Sequence, residues 1–444
     1  MRISVIGCGY LGAVHAAAMS SLGHEVVGVD VDPDKVARLS RGESPFYEPA
    51  FEDLLVEQLA TGRLSFTTDL AKIEGASVHF VCVGTPQQRD SYAADMTYVE
   101  AAMRDLVQHL QPGDIVAGKS TVPVGSAERF ARTISAAGAT LVWNPEFLRE
   151  GFAVEDTLRP DRLVYGVTPG QEGERARATL DEVYAEIVAR GTPVLVVSYA
   201  TAQLVKVAAN SFLATKISFI NAMAELCEAA GGDVNELADA IGHDDRIGRK
   251  FLNAGVGFGG GCLPKDIRAF MARADELGVR DTLEFLREID VINVRRRAKV
   301  VDLAVQLCDG DVDGRRIAVL GAAFKPNSDD IRDAPALVIA RELFDRGASV
   351  VVTDPKAVDN ARRTCPQVEY VDSADEAALH ADLVVLVTEW EEYRSLDPVA
   401  FGALVRRKVL IDGRNVLDDV AWRAAGWTVR GLGRALGGRQ YTKA

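Results

Sequence analysis

Hydrophobic and polar positions follow a repeating order over residues 1–198. Short runs rich in β-branched residues alternate with stretches in which apolar side chains recur at helical spacing. The strand-like runs are RISVIG (2–7), EVVGVD (25–30), SVHFVCV (77–83), DIVAGKS (114–120) and TLVWN (140–144), with helical stretches such as TYVEAAMRDLVQHL (97–110) between them. This alternation predicts a mostly parallel, doubly wound sheet.

The pattern changes from about residue 200. The segment TAQLVKVAANSFLATKISFINAMAELCEAAG (201–231) has no proline and no interior glycine, which predicts one long helix ending near Gly231. Residues 281–308 repeat the helical signal, and Leu283, Leu286, Ile289 and Ile292 share one face. A middle segment that is apolar on more than one side supplies either a subunit interface or packing between domains, and the pattern leaves both open.

Strand–helix alternation returns near Gly314, with RRIAVLG (315–321), SVVVTDP (349–355), ADLVVLV (381–387) and KVLIDG (408–413) as strands. RIAVLGAAFKP resembles the start of the chain, RISVIGCGYLG, and Asp354 takes the position that Asp30 has in the first half. We therefore predict an α/β protein with two Rossmann-like, doubly wound parallel-sheet domains, residues 1–198 and 311–444. A long central helix and further helical segment, residues 199–310, join them.

The net charge and the cysteine pattern limit which binding partners and which cellular compartment we expect. The chain carries 50 Lys and Arg against 64 Asp and Glu, a net charge of −14, which argues against nucleic acid or an anionic membrane as the main partner. Six scattered cysteines without a CxxC pair or a histidine cluster are typical of a reducing cytoplasm rather than of a disulfide scaffold or a metal site. No apolar run is long enough to span a bilayer. We expect a cytoplasmic protein.

A dinucleotide fingerprint follows the first strand. Gly7, Gly9 and Gly12 have the spacing G-x-G-x-x-G, and Asp30 ends the second strand. The glycines let the backbone approach a pyrophosphate at a helix start, and Asp30 can accept hydrogen bonds from a ribose diol. Because the carboxylate would repel a 2′-phosphate, NAD is favoured over NADP.

Two loops that follow strands are candidates for the nicotinamide side of that site. They are VGTP (83–86) and STVPVGS (120–126). Taken alone, each loop could equally be an ordinary turn without a ligand. The second half lacks the fingerprint, since AAFKP follows Gly321. We expect Lys325 and Arg332 to hold a different phosphate ligand there.

Cys262 is the candidate nucleophile. It lies in GVGFGGGCLPKD (255–266), where Pro264 suits the first turn of a helix. A helix N-terminus and a neighbouring lysine both favour the thiolate. The preceding glycines carry no side chains, so a substrate carbon could approach closely. The alternative for a lone cysteine is a buried core residue.

Two pairs of residues spaced four apart join this candidate. Lys206 and Asn210 share a face of the long helix, and the apolar surroundings of Lys206 disfavour its charge, so it could exchange a proton near neutrality. Glu146 and Glu150 follow a strand. Taken separately, Lys206 could be a lysine that extends its ammonium group to solvent, and the two glutamates could form a solvated acidic face. Together with Cys262, the two pairs form a candidate active site.

Eight motifs in chain order resemble the UDP-glucose/GDP-mannose dehydrogenase family over nearly the whole sequence. They are GCGYLG (7–12), VGTP (83–86), STVPVGS (120–126), NPEFLREG (144–151), VKVAANSFLATKISFIN (205–221), GFGGGCLPKD (257–266), FKPNSDDIRDAP (324–335) and DGRN (412–415). The resemblance implies an oxidation of a nucleotide-sugar C6 alcohol to a carboxylate with two successive NAD⁺ molecules, and it favours UDP-glucose.

The resemblance also implies roles for individual residues. Cys262 would capture the aldehyde as a thiohemiacetal, which becomes a thioester that water hydrolyses. Lys206 would take the alcohol proton or stabilise the oxyanion, helped by Asn210. Glu146 would activate or position the water, and Asp266 would support Cys262 and that water.

Further residues are implied as ligand contacts. For NAD these are Gly7, Gly9, Tyr10, Leu11, Gly12, Asp30, Lys35, Thr85, Thr121, Glu150, Lys265 and Arg332, of which Thr121 could also hold water. For the nucleotide sugar they are Glu146, Phe147, Leu148, Glu150, Lys206, Asn210, Arg246, Phe251, Asn253, Gly257, Gly259, Phe324, Lys325 and Arg414. No metal is implied. The resemblance also implies a homodimer formed by the central helical domain, across which Arg246 could reach.

The sequence departs from common UDP-glucose members at two places, Gly261-Cys262-Leu263 and Asn253. A dehydrogenase of GDP-mannose or a UDP-amino sugar is therefore an alternative. A non-catalytic regulator that binds NAD or a nucleotide sugar is a second, and a two-electron hydroxyacid dehydrogenase a third. Neither of the last two needs a nucleophilic cysteine.

Overall fold

A computed structural model of the chain describes residues 1–434 and divides them into two compact units. The first unit contains residues 1–209 and 268–280, and the second contains residues 210–267 and 281–434. The predicted boundaries of three domains stay a prediction. No helix within residues 1–434 combines the length and the apolar character needed to cross a bilayer.

Fourteen strands are described. They are β1 Arg2–Ile6, β2 Glu25–Val29, β3 Leu64–Thr67, β4 Val78–Val81, β5 Ile115–Gly118, β6 Thr140–Trp143, β7 Leu163–Gly166, β8 Val194–Val197, β9 Arg316–Leu320, β10 Ser349–Thr353, β11 Glu369–Tyr370, β12 Leu383–Leu386, β13 Val409–Asp412 and β14 Thr428–Gly431.

Eighteen α-helices are described in residues 1–434. They are α1 Tyr10–Ser21, α2 Pro33–Ser40, α3 Phe51–Ala60, α4 Thr97–Val107, α5 Ser126–Ala136, α6 Ala153–Leu158, α7 Gln171–Val183, α8 Ala185–Ala189, α9 Tyr199–Ala230, α10 Val234–Gly242, α11 Leu263–Glu276, α12 Glu284–Leu307, α13 Pro335–Asp345, α14 Val358–Thr364, α15 Ala374–Ala378, α16 Glu391–Arg394, α17 Pro398–Phe401 and α18 Asp419–Ala424.

The first unit contains an eight-stranded sheet in the order β3-β2-β1-β4-β5-β6-β7-β8. All neighbours are parallel except β6 and β7. Its central strands are buried along their length, as in the apolar β4 and β5, because helices cover both faces and form two separate cores. The strand order reverses between β1 and β4, which leaves a crevice beyond their carboxyl ends.

The second unit contains a six-stranded, entirely parallel sheet in the order β11-β10-β9-β12-β13-β14. It repeats the organisation of the first sheet, with β9 in the place of β1 and β12 in the place of β4. The predicted α/β fold with two Rossmann-like sheets is therefore confirmed.

The long central helix is confirmed as α9, and it ends before Gly231, whose φ of 82° needs a residue without a side chain. Phe212, Phe219 and Leu226 lie seven residues apart on α9 and are 65%, 46% and 60% exposed. Helix α12 buries Leu286 and exposes Val294. A row of large exposed apolar side chains at heptad spacing is typical of a helix that packs against a partner.

Candidate active site

The first turn after β1 fits the pyrophosphate of a dinucleotide. Gly7 has a φ of 88°, and a Cβ at Gly12 would lie 1.8 Å from the Gly7 carbonyl oxygen, so only glycine allows this close packing of turn and helix. A Cβ at Gly9, in contrast, would meet no atom within 4 Å. The open side of Gly9 and the start of α1 at Tyr10 together provide space and backbone N–H groups for an anion.

Asp30 is placed to receive a ribose. Its carboxylate accepts hydrogen bonds from the backbone N–H groups of Cys8 at 2.7 Å and Asp32 at 3.0 Å. The third partner is Lys35, whose Nζ lies 3.0 Å from both carboxylate oxygens. The Lys35 side chain is partly exposed at 27%, so it can move aside when a diol binds. These residues fit NAD.

Asp354 has the equivalent position in the second sheet, but its carboxylate is fully occupied by hydrogen bonds from the protein. Its carboxylate accepts from the backbone N–H groups of Ala322, Ala323, Lys356 and Ala357 at 2.8–3.0 Å and from the indole of Trp390 at 3.0 Å. Five protein donors leave no lone pair for a ribose diol. The sequence similarity between Asp30 and Asp354 therefore reflects position rather than ligand.

The loops beyond β4 and β5 contact each other, as expected for neighbouring strands. Thr85 Oγ1 donates to the Thr121 carbonyl at 2.6 Å. Gln203 of α9, a residue that the sequence analysis did not select, accepts from Gly125 N at 3.1 Å and donates to Pro123 O at 3.0 Å. Gln203 thus holds the 120–126 loop from the turn of α9 that precedes Lys206.

Lys206 and Glu146 form a buried ion pair. Lys206 Nζ lies 2.8 Å from Glu146 Oε1, and the two side chains are 7% and 15% exposed. Glu146 Oε2 accepts from Leu148 N at 2.8 Å, which fixes the carboxylate. The aromatic ring of Phe147 lies 5.7 Å from the ammonium group. Lys206 is therefore not a snorkelling surface lysine, and Glu146 does not belong to a solvated acidic face.

A second buried lysine lies in the same unit. Lys119, at the end of β5, donates to Asn144 Oδ1 at 3.0 Å, and Asn144 also accepts from the Tyr184 hydroxyl at 2.8 Å. Burial lowers the pKa of Lys119 to about 8. Lys119 and Asn144 are not among the site residues predicted above; the signal available for Lys119 was a lysine in an apolar run, VAGKS (116–120).

A buried carboxylate ties the cofactor turn to the segment after Glu150. Glu48 accepts a hydrogen bond from the Tyr10 hydroxyl. It also accepts from the backbone N–H groups of Gly151 at 2.6 Å and Ala153 at 2.7 Å. Burial raises the pKa of Glu48. Its partners are distant in sequence, so no local motif indicated this contact.

Cys262 precedes the first residue of α11, and its carbonyl accepts from Asp266 N at 3.0 Å. All six cysteines lie in the described part of the chain, and Cys262 alone is exposed. Asp266 is buried, and its carboxylate binds Asn210 Nδ2 at 2.6 Å and Lys265 Nζ at 2.5 Å. The second unit thus joins three of the predicted residues, Asn210, Lys265 and Asp266, at the helix start that follows Cys262.

The glycines before Cys262 have a different cause from the one expected. A Cβ at Gly259 would lie 2.3 Å from the Asp333 carbonyl oxygen, one at Gly260 2.7 Å from the Phe324 ring, and one at Gly261 2.2 Å from the Arg332 guanidinium. Protein atoms, rather than an approaching substrate, exclude side chains at these positions. The contact with Gly261 also brings the positive charge of Arg332 to the residue before the thiol.

The other predicted sugar contacts are spread over the second unit. Arg414 spans three backbone carbonyls, those of Val387 at 2.7 Å, Gly257 at 3.0 Å and Phe324 at 3.3 Å. Lys325 Nζ lies 5.3 Å from the centroid of the Phe324 ring. In the neighbouring loop, Asn253 accepts from Arg249, Phe251 has a φ of 68°, and Arg246 is largely exposed beside Asp244.

A dinucleotide turn with an acidic residue that favours NAD, together with an exposed cysteine at a helix start, defines an NAD-dependent dehydrogenase. Family models of the UDP-glucose/GDP-mannose dehydrogenases match three successive parts: the NAD binding domain over residues 1–188, the central domain over 200–295 and the UDP binding domain over 318–419. The chain belongs to the UDP-glucose/GDP-mannose dehydrogenase family. The resemblance noted in the sequence and the choice of NAD are confirmed; the roles of individual residues stay predictions.

Named relatives are similar over nearly the full length. The chain is 43% identical over 429 residues to a UDP-glucose 6-dehydrogenase of Rhizobium meliloti, covering 95% of this chain and 97% of that protein. It is 40% identical over 453 residues to one of Pseudomonas aeruginosa, covering 99% and 98%. The solved structure of a UDP-glucose dehydrogenase from Pyrobaculum islandicum matches with a TM-score of 0.88 at 39% identity and covers 98% of both chains.

Proposed function

We propose that this protein is a UDP-glucose 6-dehydrogenase that oxidises the C6 alcohol of UDP-glucose to the carboxylate in two steps. The observation that carries the proposal is the exposure of Cys262 at the start of α11, whereas the other five cysteines are buried. A dehydrogenase that stops at an aldehyde or ketone needs no thiol. One that continues to the acid needs a nucleophile to turn the aldehyde into a species that can be oxidised again.

The first oxidation uses the ion pair of the first unit. NAD⁺, when bound, accepts the electron pair lost by the sugar carbon in each step. As the ammonium of this pair, Lys206 stabilises the oxyanion that forms from the C6 hydroxyl; once it has lost its own proton, its neutral amine takes the hydroxyl proton instead. Its carboxylate partner Glu146, 2.8 Å away, balances the ammonium charge and orients it.

The second oxidation uses Cys262. The start of α11 and the cations of Lys265 and Arg332 favour the thiolate. The thiolate adds to the aldehyde carbon to give a thiohemiacetal, which is oxidised to a thioester; water then attacks the acyl carbon and releases the carboxylate and the thiol. Asp266, held by Asn210, and Glu146 are the groups we assign to hold the hydrolytic water.

The UDP binding domain accounts for a UDP-sugar as substrate, and we assign its contacts to Lys325, Arg414 and the 253–259 loop. The departures at Leu263 and Asn253 leave this assignment of the sugar open to test. Among the relatives cited above, both curated proteins and the solved structure carry the UDP-glucose name, which supports UDP-glucose over GDP-mannose.

We further propose a homodimer in a reducing compartment, the cytoplasm. The exposed stripe of Phe212, Phe219 and Leu226 supports a dimer, because so much apolar surface at heptad spacing gains free energy when a second copy covers it. The need to keep Cys262 as a thiol supports the compartment.

The test is the number of NADH molecules formed per nucleotide sugar consumed, with UDP-glucose, GDP-mannose and UDP-N-acetylmannosamine compared under identical conditions. Two NADH per UDP-glucose, with little turnover of the other sugars, is the expected result. One NADH per sugar would overturn the thioester route. Preferred turnover of GDP-mannose or UDP-N-acetylmannosamine would overturn the substrate assignment, and no NADH with any sugar would favour a binding protein.

A further inference from the structure

The loop that precedes Cys262 has no strand or helix of its own, yet its backbone is held by a buried side chain of α12. Asn293 pairs with both backbone groups of Phe258: its Oδ1 accepts from Phe258 N at 2.7 Å, and its Nδ2 donates to Phe258 O at 3.0 Å. Asn293 is fully buried. Its amide therefore gives Phe258 the two hydrogen bonds that a neighbouring β-strand would give.

Gly255 is held from two sides in a similar way. Its N–H donates to Asn221 Oδ1 of α9 at 2.8 Å, and its carbonyl accepts from Arg296 Nε of α12 at 3.1 Å. Both side chains are fully buried. Arg296 Nη1 lies 3.6 Å from Glu225 Oε1, which balances its charge.

Arg297 extends the arrangement to a second loop. Its Nη2 donates to Phe258 O at 3.1 Å and to Asp333 O at 3.2 Å, and its Nη1 donates to the Asp333 carboxylate at 2.7 Å. Asp333 has a φ of 48°, an unfavourable conformation for a residue with a side chain. Arg297 therefore fixes the 253–261 loop relative to the segment that carries Lys325 and Arg332.

Simple core filling does not account for these buried polar residues and glycines, because both lower the stability of the folded chain. Burying two guanidinium groups costs free energy that apolar side chains of similar volume would not. Five glycines at positions 255, 257, 259, 260 and 261 add conformational entropy that folding must remove. A Cβ at Gly257 would lie 2.4 Å from Asn293 Oδ1, so the position of Asn293 excludes a side chain at residue 257.

We propose that Asn293 and Arg297, one turn apart on the buried face of α12, are positioning residues of the nucleotide-sugar site. They hold the backbone of residues 255–258 in the conformation that receives the sugar before substrate arrives. The inference rests on the proposed function, because it takes the 253–259 loop as part of the sugar site. Neither residue touches the reacting atoms; both act through the loop, which reduces the ordering cost of binding.

The test compares Asn293→Leu, which keeps the branched shape and the number of heavy atoms and removes both hydrogen bonds, with Arg295→Met on the exposed side of the same helix. We expect Asn293→Leu to raise the UDP-glucose Kd, measured by calorimetry on the full chain, by about tenfold to a hundredfold. The NAD⁺ Kd should change less than about twofold, and Arg295→Met should leave both values at wild type. Hydrogen exchange of the 253–261 amides should accelerate only in Asn293→Leu.

Wild-type affinity for UDP-glucose in folded Asn293→Leu would overturn the proposal, as would an equal loss of NAD⁺ and UDP-glucose binding with a lower unfolding temperature. If Asn293→Leu does not fold, Arg297→Lys and Arg297→Met provide the test: the methionine variant should lose more affinity than the lysine variant, and wild-type affinity in both would overturn the proposal. Failure of the proposed function is distinguishable, because the wild-type protein would then not bind UDP-glucose while the hydrogen-exchange difference remained.

Discussion

Lys206 Nζ and Glu146 Oε1 lie 2.8 Å apart, and both side chains are largely buried. In such a pair each charge makes the other tolerable, because a lone buried charge keeps its desolvation cost without the compensating attraction. The pair therefore links chemistry to stability: Lys206, the group proposed to act on the C6 hydroxyl, also compensates the buried charge of Glu146.

Removing either partner should lower activity and stability together. Lys206→Met should reduce kcat by about a hundredfold to ten-thousandfold and the free energy of unfolding by about 3 kcal/mol, since Glu146 loses its partner. The double variant Lys206→Met/Glu146→Gln should regain most of the stability and none of the activity. Urea unfolding and initial rates of Lys206→Met, Glu146→Gln and the double variant form the cycle. A double variant no more stable than the worse single one would contradict a coupled pair.

Cys262→Ser should separate the two oxidations. A serine hydroxyl is a far weaker nucleophile than a thiolate at neutral pH, so we expect at most one NADH per active site followed by arrest, and no steady production of the acid. A stopped-flow trace at 340 nm with product analysis measures this. Cys227→Ala, at a buried cysteine of α9, is the control and should keep two NADH per sugar. Steady formation of the acid by Cys262→Ser would refute covalent capture.

Asp30→Ala should weaken NAD⁺ and relax the discrimination against NADP⁺. The carboxylate is the proposed ribose acceptor and the charge proposed to repel a 2′-phosphate, so we expect the KM for NAD⁺ to rise about tenfold. The ratio of kcat/KM for the two cofactors is the measurement, with Asp34→Ala on the exposed side of α2 as the control. An unchanged cofactor ratio would show that Asp30 does not determine the preference.

Lys119→Met should stabilise the protein at neutral pH. The pKa of Lys119 is about 8 in the folded chain and about 10.4 when unfolded, so between these values the unfolded chain binds more protons and the contribution of Lys119 to stability rises with pH. Below pH 8 the cost of the buried charge is fully present, about 3 kcal/mol by linkage. The gain in unfolding free energy from Lys119→Met should therefore be largest at pH 7 and small at pH 10.5.

Urea unfolding of the wild-type protein and of Lys119→Met at several pH values between 7 and 10.5 tests whether the stability gain falls as pH rises. Lys72→Met, at an exposed position, is the matched control and should show no such trend. A stability difference between Lys119→Met and wild type that stays constant over this range would contradict a depressed pKa.

Charges placed on the exposed stripe of α9 should dissociate the proposed homodimer. Phe212→Glu and Leu226→Glu should each raise the dimer dissociation constant by about a hundredfold or more, because a buried carboxylate without a partner is unfavourable at an interface. Val399→Glu, at another exposed apolar residue of the same unit (66% exposed), should leave the dimer intact. Sedimentation velocity over a range of protein concentrations measures this; wild-type behaviour of both α9 variants would place the interface elsewhere.

The sequence predicted the features that depend on local pattern. Strand runs such as SVHFVCV became β4, the end of α9 at Ala230 follows from Gly231, and the spacing of Gly7, Gly9 and Gly12 placed the cofactor turn. Each of these follows from residues within a single strand, helix or turn, where side-chain size and period decide the backbone.

The contacts that hold the site could not be predicted in the same way. Asn293 binds Phe258 across 35 residues and Glu48 binds Gly151 across 103, and no motif links the partners. From the sequence alone, the glycines before Cys262 predict that a substrate carbon approaches closely. The packing of Phe324 and Arg332 against these glycines is visible only in three dimensions. Buried polar side chains that bind a loop backbone carry little local signal.

The five hydrogen bonds that Asp354 accepts restrict which residues can replace it in the second sheet. Four backbone N–H groups and Trp390 converge on its carboxylate, so substitution there would break the turn after β9 and the start of the segment after β10 at once. Asp30 has only two backbone donors and an exchangeable lysine. The acid at the end of the second strand is thus a structural anchor in one sheet, where its loss would release two backbone segments, while in the other sheet it can exchange a lysine for a ligand.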